Sequence, residues 1–270
     1  MRTLSKEAVK KLFEPLKNVW LDEQEIDNLL TDELIECFNK STSPADINDT
    51  FNAFIGLTPE DVKVLIIGKD PYPNTERAHG LAFSFANNHK ANDSIKNIFK
   101  KIKNDININN SDTNLTYWRK RGVLLLNTAL TYEKFENKEN QNLSEGQIKY
   151  RQKKLQEKHI EIWGNFVNII IEKLIKNRQK NNKPLVIMLW GEDANKIEAV
   201  HYEKFIKDNY PNIKILRSSH PSNMGQACKK SILPDSKEKI PAFFDESEDN
   251  KQFKICNEFL NGSAIDWSTK

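Results

Sequence analysis

Three side chains capable of acid–base or hydrogen-bonding chemistry follow apolar, strand-like runs of this sequence. Asp70 comes shortly after the first run, Asn127 directly after the second and His220 shortly after the last. Each residue taken alone is also typical of a turn or a helix cap. Their common placement is informative, because ligands of open α/β sheets bind in the crevice beyond the carboxyl ends of the strands. We therefore expect a site that combines a carboxylate, an amide and an imidazole.

The apolar runs are separated by stretches with helical periodicity. Four runs are too short for helices and match buried strands: residues 62–67, 122–126, 184–190 and 213–217. Strands that alternate with amphipathic helices favour a mostly parallel sheet covered by helices on both faces. We predict a single α/β domain over residues 1–270, with a four-stranded, mostly parallel central sheet flanked by helices.

Helical periodicity accounts for much of the remaining chain. Residues 1–50 predict a helical N-terminal cap, and an apolar stripe after Ser94 predicts a helix that this serine caps, a position that also suits a phosphate. A long helical pattern covers residues 147–179, and a break is expected near Gly164. Residues 229–252 are polar and contain two prolines, which indicates a surface excursion.

Composition limits the partners and cofactors. The formal net charge of the 270-residue chain is only +3, so no broad cationic surface is expected, although a local groove would suffice for nucleic acid. Cys37, Cys228 and Cys256 are too widely spaced for a disulfide framework or a zinc motif. No apolar signal core or membrane-spanning run is evident. We expect an intracellular, cytoplasmic, monomeric protein that needs no metal or organic cofactor.

Seven short segments, most of them at a strand end, together resemble the family-one uracil-DNA glycosylases. A single segment would be a weak match, but the seven occur in the family's order along most of the chain. They are DTFNAF (49–54), DVKVLIIGKDPYP (61–73), AHGLAFSF (78–85), RGVLLLNTALT (121–131), VIMLWG (186–191), SHPS (219–222) and IDW (265–267). The resemblance implies that the protein removes uracil from single- and double-stranded DNA during base excision repair.

The resemblance also implies roles for individual residues. Asp70 would stabilise the sugar cation and hold the attacking water, and His220 would donate to the base O2 as a neutral imidazole. These roles suit a reaction with an oxocarbenium-like sugar and a departing base anion. Phe83 would stack on the flipped base, and Asn127 would read its O4 and N3 atoms. Tyr72 would exclude a methyl group at C5, although it and Phe83 could equally be ordinary core aromatics.

The chain departs from the family pattern beside this pocket. Lys69, Pro73 and Asn74 stand where the family usually has Gln, His and Gly. We expect Lys69 to lie beside the base, where it contacts a phosphate or a base substituent, or else pairs with Asp70. These departures bear on base preference more than on the type of reaction.

The rim expected to face DNA is altered as well. The residues expected to contact DNA are Ser94, Pro221, Ser222, Met224 and Gly225. Met224 replaces a leucine and can still serve as an apolar wedge between bases. Gly225 lacks the hydroxyl of the usual serine, and Asn223 replaces a proline. Glu192 replaces another serine and brings negative charge toward a polyanion.

Three hypotheses for function follow. The first is excision of uracil from DNA. The second is a related glycosylase retuned to another or modified base, suggested by Lys69 and the altered rim. The third is a DNA-binding relative that has lost turnover, against which the retained Asp70, Asn127 and His220 argue. Fold alone does not decide among them, because one fold hosts several functions.

Overall fold

The computed structural model describes residues 3–73, 77–87, 90–137, 143–197, 210–226, 231–232 and 239–270. At its centre is a sheet of four strands: β1 (Val64–Gly68), β2 (Val123–Asn127), β3 (Leu185–Trp190) and β4 (Ile213–Ser218). Their spatial order is β2-β1-β3-β4, and all three pairings are parallel. The predicted fold class is confirmed, and each strand begins and ends within two residues of its predicted bounds.

The sheet is covered on both faces. β1, β2 and β3 are buried along their whole length. Val64 and Ile66 belong to one apolar cluster, whereas Leu65 and Ile67 belong to the cluster on the opposite face. This two-sided burial explains why the strands appear in the sequence as continuous apolar runs rather than alternating ones.

The helices divide between these two faces. The face of Leu65 and Ile67 carries α1 (Lys6–Leu12), α2 (Glu23–Leu29), α3 (Asp32–Lys40), the 3₁₀ segments Glu14–Leu16 and Ile47–Phe54, and α6 (Glu145–Lys180). The face of Val64 and Ile66 carries α4 (Asp93–Ile106), α5 (Thr116–Lys120) and the helix Gln252–Leu260. The remaining elements are α7 (Glu192–Lys196), the helix Asn223–Gln226, the 3₁₀ turn Glu248–Asn250, and the antiparallel pair β5 (Ser231–Ile232) and β6 (Lys239–Ile240).

Two helix predictions were wrong in detail. Asn92, rather than Ser94, caps α4, because its side chain accepts the Ile95 N–H at 3.0 Å and Ser94 lies inside the first turn. α6 runs without interruption through Gly164. A glycine in a helix interior costs only about 1 kcal/mol, and burial of neighbouring apolar residues such as Trp163 outweighs that cost.

The segment 229–252, predicted as a surface excursion, contributes to the core in the part that the structure describes. The Phe243 side chain is fully buried against Trp190, and the two ring centroids lie 5.4 Å apart. Pro241 O accepts a hydrogen bond from the Ser219 N–H at 2.9 Å. The segment therefore supports the loop that follows β4, and this loop carries His220, one of the expected site residues.

The structure describes two of the three cysteines of the chain. Cys37 and Cys256 are buried free thiols, and burial raises the pKa of both, so neither is activated as a nucleophile. Cys228 lies outside the described residues. Within the described ranges, no helix is long and apolar enough to cross a membrane.

Candidate active site

The carboxyl ends of β1 and β2 lie side by side and position the first site residues. Gly68 and Asn127 are partners in the parallel register. Beyond them the two chains stay joined, because the Thr128 N–H donates to Gly68 O at 2.9 Å and its hydroxyl donates to Lys69 O at 2.5 Å. These bonds fix the backbone from which Lys69 and Asp70 project.

Gly68 allows the groups of the expected base pocket to approach one another. A Cβ atom at this position would overlap Asn127 Oδ1 and would lie 2.9 Å from Ala82 Cβ and 3.5 Å from Phe83 Cε2. Asn127 is buried, with 7% of its surface exposed. The absence of a side chain at Gly68 therefore brings the Asn127 amide and the edge of the Phe83 ring together against the β1 backbone.

Phe83 has an unusual backbone conformation. Its φ of +61° lies in the left-handed region, which costs a bulky residue of order 1–3 kcal/mol. The Tyr72 hydroxyl donates to Phe83 O at 3.2 Å, and the Tyr72 ring packs edge-on against Phe85. The Phe83 ring lies 5.5 Å from that of Trp190 and 6.0 Å from that of His220, centroid to centroid. Strain of this kind is typical of functional sites.

The segment that carries Phe83 is held by a buried hydrogen-bond chain. His79 Nε2 lies 2.7 Å from Ser84 Oγ, which also accepts the Leu115 N–H at 2.8 Å. Burial lowers the pKa of His79 to about 4, so its ring is neutral at neutral pH. This histidine therefore supports the loop and does not face the pocket as an acid.

His220 is oriented by its own loop and by β3. The Ser222 N–H donates to His220 Nδ1 at 3.0 Å, so the neutral ring carries its proton on Nε2. Burial lowers the pKa of His220, which favours this neutral form. A Cβ atom at Gly191, which has a φ of +94°, would lie 2.9 Å from His220 Cβ. Gly191 therefore leaves the space that the imidazole occupies.

Asp70 is half-buried, and the burial sets its ionisation. Burial raises the pKa of its carboxyl from 3.8 to about 6. The positive charge of Lys69, the nearby His159 and a hydrogen bond from the Gln156 side chain lower this pKa. The charge of Asp193 raises it. Oδ2 is buried and has no hydrogen-bond partner among the described residues, so it can accept a hydrogen bond from a substrate or a water molecule.

Lys69 forms an ion pair with Asp193, not with Asp70 as one of our alternatives held. Lys69 Nζ lies 3.2 Å from Asp193 Oδ2, and each side chain is about one-third exposed. The expected repulsive charge of Glu192 is also compensated, since its carboxylate lies 2.5 Å from Lys196 Nζ one turn later in α7. Both charged departures from the family pattern therefore belong to ion pairs.

The rim expected to face DNA consists of two segments in contact. Asn97, one turn after Ser94 on α4, donates to Pro221 O at 2.7 Å and to Asn223 Oδ1 at 3.1 Å. The Asn223 amide in turn donates to Asp93 Oδ2 at 2.6 Å. The structure thus brings the start of α4 against the loop after β4, as the common role of Ser94 and Pro221 requires.

The remaining rim residues lie on the short helix Asn223–Gln226 or just before it. Met224 is 86% exposed, the most exposed of the large apolar side chains that the structure describes. Ser222 is half-buried and uses its N–H to hold the imidazole, while the Gly225 backbone continues the helix. Asn74 lies outside the described residues. DNA contact by these residues stays a prediction.

The sequence-based prediction missed several residues that shape the site. Gly68 and Gly191 provide the close approaches, and Asp193 holds Lys69. A glycine at the end of a predicted strand was the available signal for the first two. Gln156 had no such signal, because it reaches Asp70 from the middle of a helix far along the chain.

The arrangement places complementary chemistry at one edge of the sheet. A carboxylate that is ionised above about pH 6 can stabilise positive charge, and a neutral imidazole with its proton on Nε2 can donate toward developing negative charge. The Asn127 amide and the edge of the Phe83 ring meet at Gly68, and the Phe83 ring lies 6.0 Å from that of His220. Within the described part of the chain, no group of three or more His, Cys, Asp or Glu side chains could hold a metal ion.

Comparison with known proteins identifies the family of the chain. The model of the uracil DNA glycosylase superfamily matches residues 55–246, and the chain therefore belongs to that superfamily. The uracil-DNA glycosylase of Saccharomyces cerevisiae is 34% identical over 223 residues, which cover 78% of this chain and 52% of that protein. The uracil-DNA glycosylase of Desulfitobacterium hafniense is 40% identical over 123 residues, which cover 43% of this chain and 55% of that protein.

Solved structures give the same fold. A variant of the mimivirus UNG, crystallised in complex with UGI, is 25% identical, with a TM-score of 0.56 over 82% of this chain and 74% of that one. A crystal structure of the mimivirus uracil-DNA glycosylase is 23% identical, with a TM-score of 0.52 over 82% of this chain and 73% of that one. The chain spans about half the length of the curated relatives it matches, as the coverages of 52% and 55% indicate.

Proposed function

We propose that the protein excises uracil from DNA by hydrolysing the N-glycosidic bond, which leaves an abasic site for base excision repair. The observation that carries this proposal is the combination of an ionisable, half-buried Asp70 and a neutral His220 that donates from Nε2, at the sheet edge where Asn127 ends β2. Membership of the superfamily and the names of the relatives support the same activity.

The two groups match the charges that develop during the reaction. Breaking the bond leaves positive charge on the sugar and negative charge on the departing base. The Asp70 carboxylate stabilises the sugar cation, and its pKa of about 6 suits a group that orients a water molecule near neutral pH. The His220 Nε2–H donates to O2 of the base, where negative charge accumulates.

The pocket reads a base that has left the stack. A target inside a duplex is out of reach, so the nucleotide is flipped into the site. The Phe83 ring offers a stacking face, and the Asn127 amide donates to O4 and accepts from N3–H of uracil. Cytosine has a donor at C4 and a bare acceptor at N3, which mismatch the same amide. Tyr72, held by its hydroxyl bond to Phe83 O, closes the space beside C5 against a methyl group.

The contact made by Lys69 favours this function over a glycosylase retuned to another base. A lysine that read a base substituent would need its ammonium directed at the base, whereas Asp193 binds it at 3.2 Å. The unpaired Asp70 Oδ2 supports an enzyme over a binding protein without turnover, because a buried unpaired carboxylate oxygen costs stability and is available to hold an attacking water. Monomeric state and cytoplasmic location stay predictions.

A substrate panel tests the proposal. The purified chain is incubated with single- and double-stranded oligonucleotides that carry uracil, thymine, cytosine or a modified uracil, and abasic sites are revealed by alkaline cleavage. We expect cleavage at uracil in both forms of DNA and none at thymine or cytosine. Cleavage only at a modified base would favour the retuned relative, and no cleavage with intact DNA binding would favour the inactive one.

Two pocket variants test how the base is selected. Tyr72→Ala should admit thymine, because the space beside C5 opens. Asn127→Asp should admit cytosine, because a carboxylate accepts from the C4 amino group. Both should be slower on uracil than the wild type. If neither variant gains any activity on its new base in the same oligonucleotide assay, the pocket does not read the base in this way.

A further inference from the structure

The N-terminal half of α6 and the segment that follows β2 enclose a groove of about 610 Å³ beside the proposed active site. Pro73, from the loop that carries Asp70, lines one end. Gln156 lines the same groove and also hydrogen-bonds the Asp70 carboxylate. The groove is therefore continuous with the pocket where the sugar of a flipped nucleotide would lie.

The walls of the groove are fixed to each other. The Gln152 side chain bridges them, because its Oε1 accepts the Phe135 N–H at 2.8 Å and its Nε2 donates to Glu133 O at 2.9 Å. The Arg151 guanidinium lies 5.6 Å from the centroid of the Phe135 ring. Tyr132 and Phe135 add aromatic surface to the lining. The result is a preformed cleft with an apolar, partly aromatic floor.

Lysines line the groove and concentrate positive charge there. Lys134, Lys149 and Lys153 all contribute to its lining, and the last two are 74% and 68% exposed. Residues 145–159 contain five Lys or Arg and two Glu, a net charge of +3, which equals the formal charge of the entire chain. Residues 145–159 are therefore a local source of positive charge beside the groove.

The carboxylates near these lysines do not cancel their availability. Lys149 lies 2.6 Å from Glu145 and Lys153 lies 3.7 Å from Glu157, both pairs on the exposed surface of one helix. Such i, i+4 pairs contribute only about 0.3–0.5 kcal/mol and weaken with salt. A phosphate can displace them at little cost.

We propose that this groove binds the DNA strand that flanks the flipped nucleotide, an inference that rests on the proposed function. From Lys149 to Gln156 the helix rises by about 10 Å at 1.5 Å per residue, which equals the rise of about three nucleotides of a B-form strand at 3.4 Å each along the duplex axis. The lysines contact phosphates, and the aromatic floor offers stacking surface to unpaired bases. The face so defined lies outside the rim residues expected from the sequence.

Two pairs of substitutions on the same helix test this inference. Lys149→Gln with Lys153→Gln removes two groove charges. Lys176→Gln with Lys180→Gln is the matched control, because these residues have the same i, i+4 spacing at the other end of α6, and Lys176 is paired with Glu172 much as Lys149 is with Glu145. Affinity for a labelled single-stranded oligonucleotide with a central abasic site is measured across a salt series.

We expect the groove variant to reduce the slope of log affinity against log salt by about 1.4, since each phosphate contact on a single strand contributes about 0.7. At 0.1 M salt the affinity should fall up to about 25-fold, by the same relation. The control should match the wild type. Trimming the oligonucleotide from one end should weaken the wild type but not the groove variant, which would identify the flanking side.

The outcomes separate this inference from the proposed function. If the wild type excises uracil and both variants bind DNA as well as it does, the groove proposal is overturned and the activity stands. Equal weakening in both variants would also overturn it, because general charge would then explain binding. Groove-dependent DNA binding without uracil release would support the groove and refute the activity. No DNA binding by the wild type would refute both.

Discussion

Asp70→Asn should stabilise the protein at neutral pH while it removes most of the activity. Burial raises the pKa of Asp70 from 3.8 to about 6. A folded-state pKa above the unfolded value means that the native protein holds the proton more tightly than the unfolded chain does. Ionisation of Asp70 therefore lowers the free energy of unfolding as pH rises from about 4 to about 6. One pKa unit corresponds to 1.36 kcal/mol, so the loss reaches roughly 3 kcal/mol at pH 7.

Urea unfolding at pH 4 and pH 7, together with uracil release, measures both effects. At pH 7 the neutral amide avoids the buried charge, so the variant should gain up to about 3 kcal/mol in the free energy of unfolding. At pH 4 the carboxyl of the folded wild type is protonated, and the gain should shrink to about 0.5 kcal/mol. Uracil release should fall by two or more orders of magnitude, whereas binding to an abasic duplex should persist, because the charge acts mainly in the transition state.

Asp61→Asn provides a control of opposite sign. The Asp61 carboxylate accepts from the Thr58 N–H at 2.9 Å and from its hydroxyl at 2.7 Å, and these bonds lower the pKa of Asp61. Its neutralisation should therefore destabilise the protein at pH 7 and leave uracil release unchanged. The reasoning fails if Asp70→Asn gains no stability at pH 7, if its gain is equally large at pH 4, or if it keeps wild-type turnover.

Three further predictions concern the surroundings of this carboxylate. His220→Ala should slow single-turnover uracil release about 100- to 1,000-fold, as loss of one donor to a developing anion typically does, and near-wild-type turnover would refute its role. Gly68→Ala should abolish uracil release, because its Cβ would overlap the Asn127 amide. Gly164→Ala is the control, because its Cβ would meet open space. This control should raise the free energy of unfolding by about 1 kcal/mol and leave activity intact. Lys69→Gln should move the acidic limb of the pH–activity profile to higher pH, because Lys69 lowers the pKa of Asp70. Asp193→Asn should move it to lower pH, because Asp193 raises that pKa. Shifts of both variants in the same direction would contradict this account.

The fold could be predicted from the sequence because its strands are buried on both faces. Two-sided burial turns each strand into a continuous apolar run, and such runs cannot be mistaken for amphipathic helices when they are only five or six residues long. Polar residues stand out at the ends of such apolar runs, and they indicated the edge of the sheet where the site was expected. Asp70, Asn127 and His220 could be singled out because parallel strands all end at one side of the sheet, and their roles stay predictions.

What the sequence could not show depends on contacts between distant segments. Asn92 and Ser94 are both good helix caps. Which of the two caps α4 depends on where the preceding loop enters the helix, and the structure shows that it is Asn92. The core role of Phe243 was hidden in a polar, proline-containing stretch, since one aromatic side chain is enough to anchor a segment against Trp190. Pairing of Lys69 with Asp193 joins the loop after β1 to α7, which follows β3, and no local pattern indicates such a contact.

The structure changes the interpretation of the charged departures from the family pattern, because it shows the partner of each charge. In the sequence, Lys69 and Glu192 look like separate changes, one adding a positive and the other a negative charge to the site. In the structure each is neutralised within a pair, Lys69 by Asp193 and Glu192 by Lys196. The rim therefore acquires no net charge from these positions. Positive charge beside Asp70 comes instead from groove lysines such as Lys149 and Lys153 on the first half of α6, and a local group of cations of this kind can attract a polyanion even when the net charge of the chain is small.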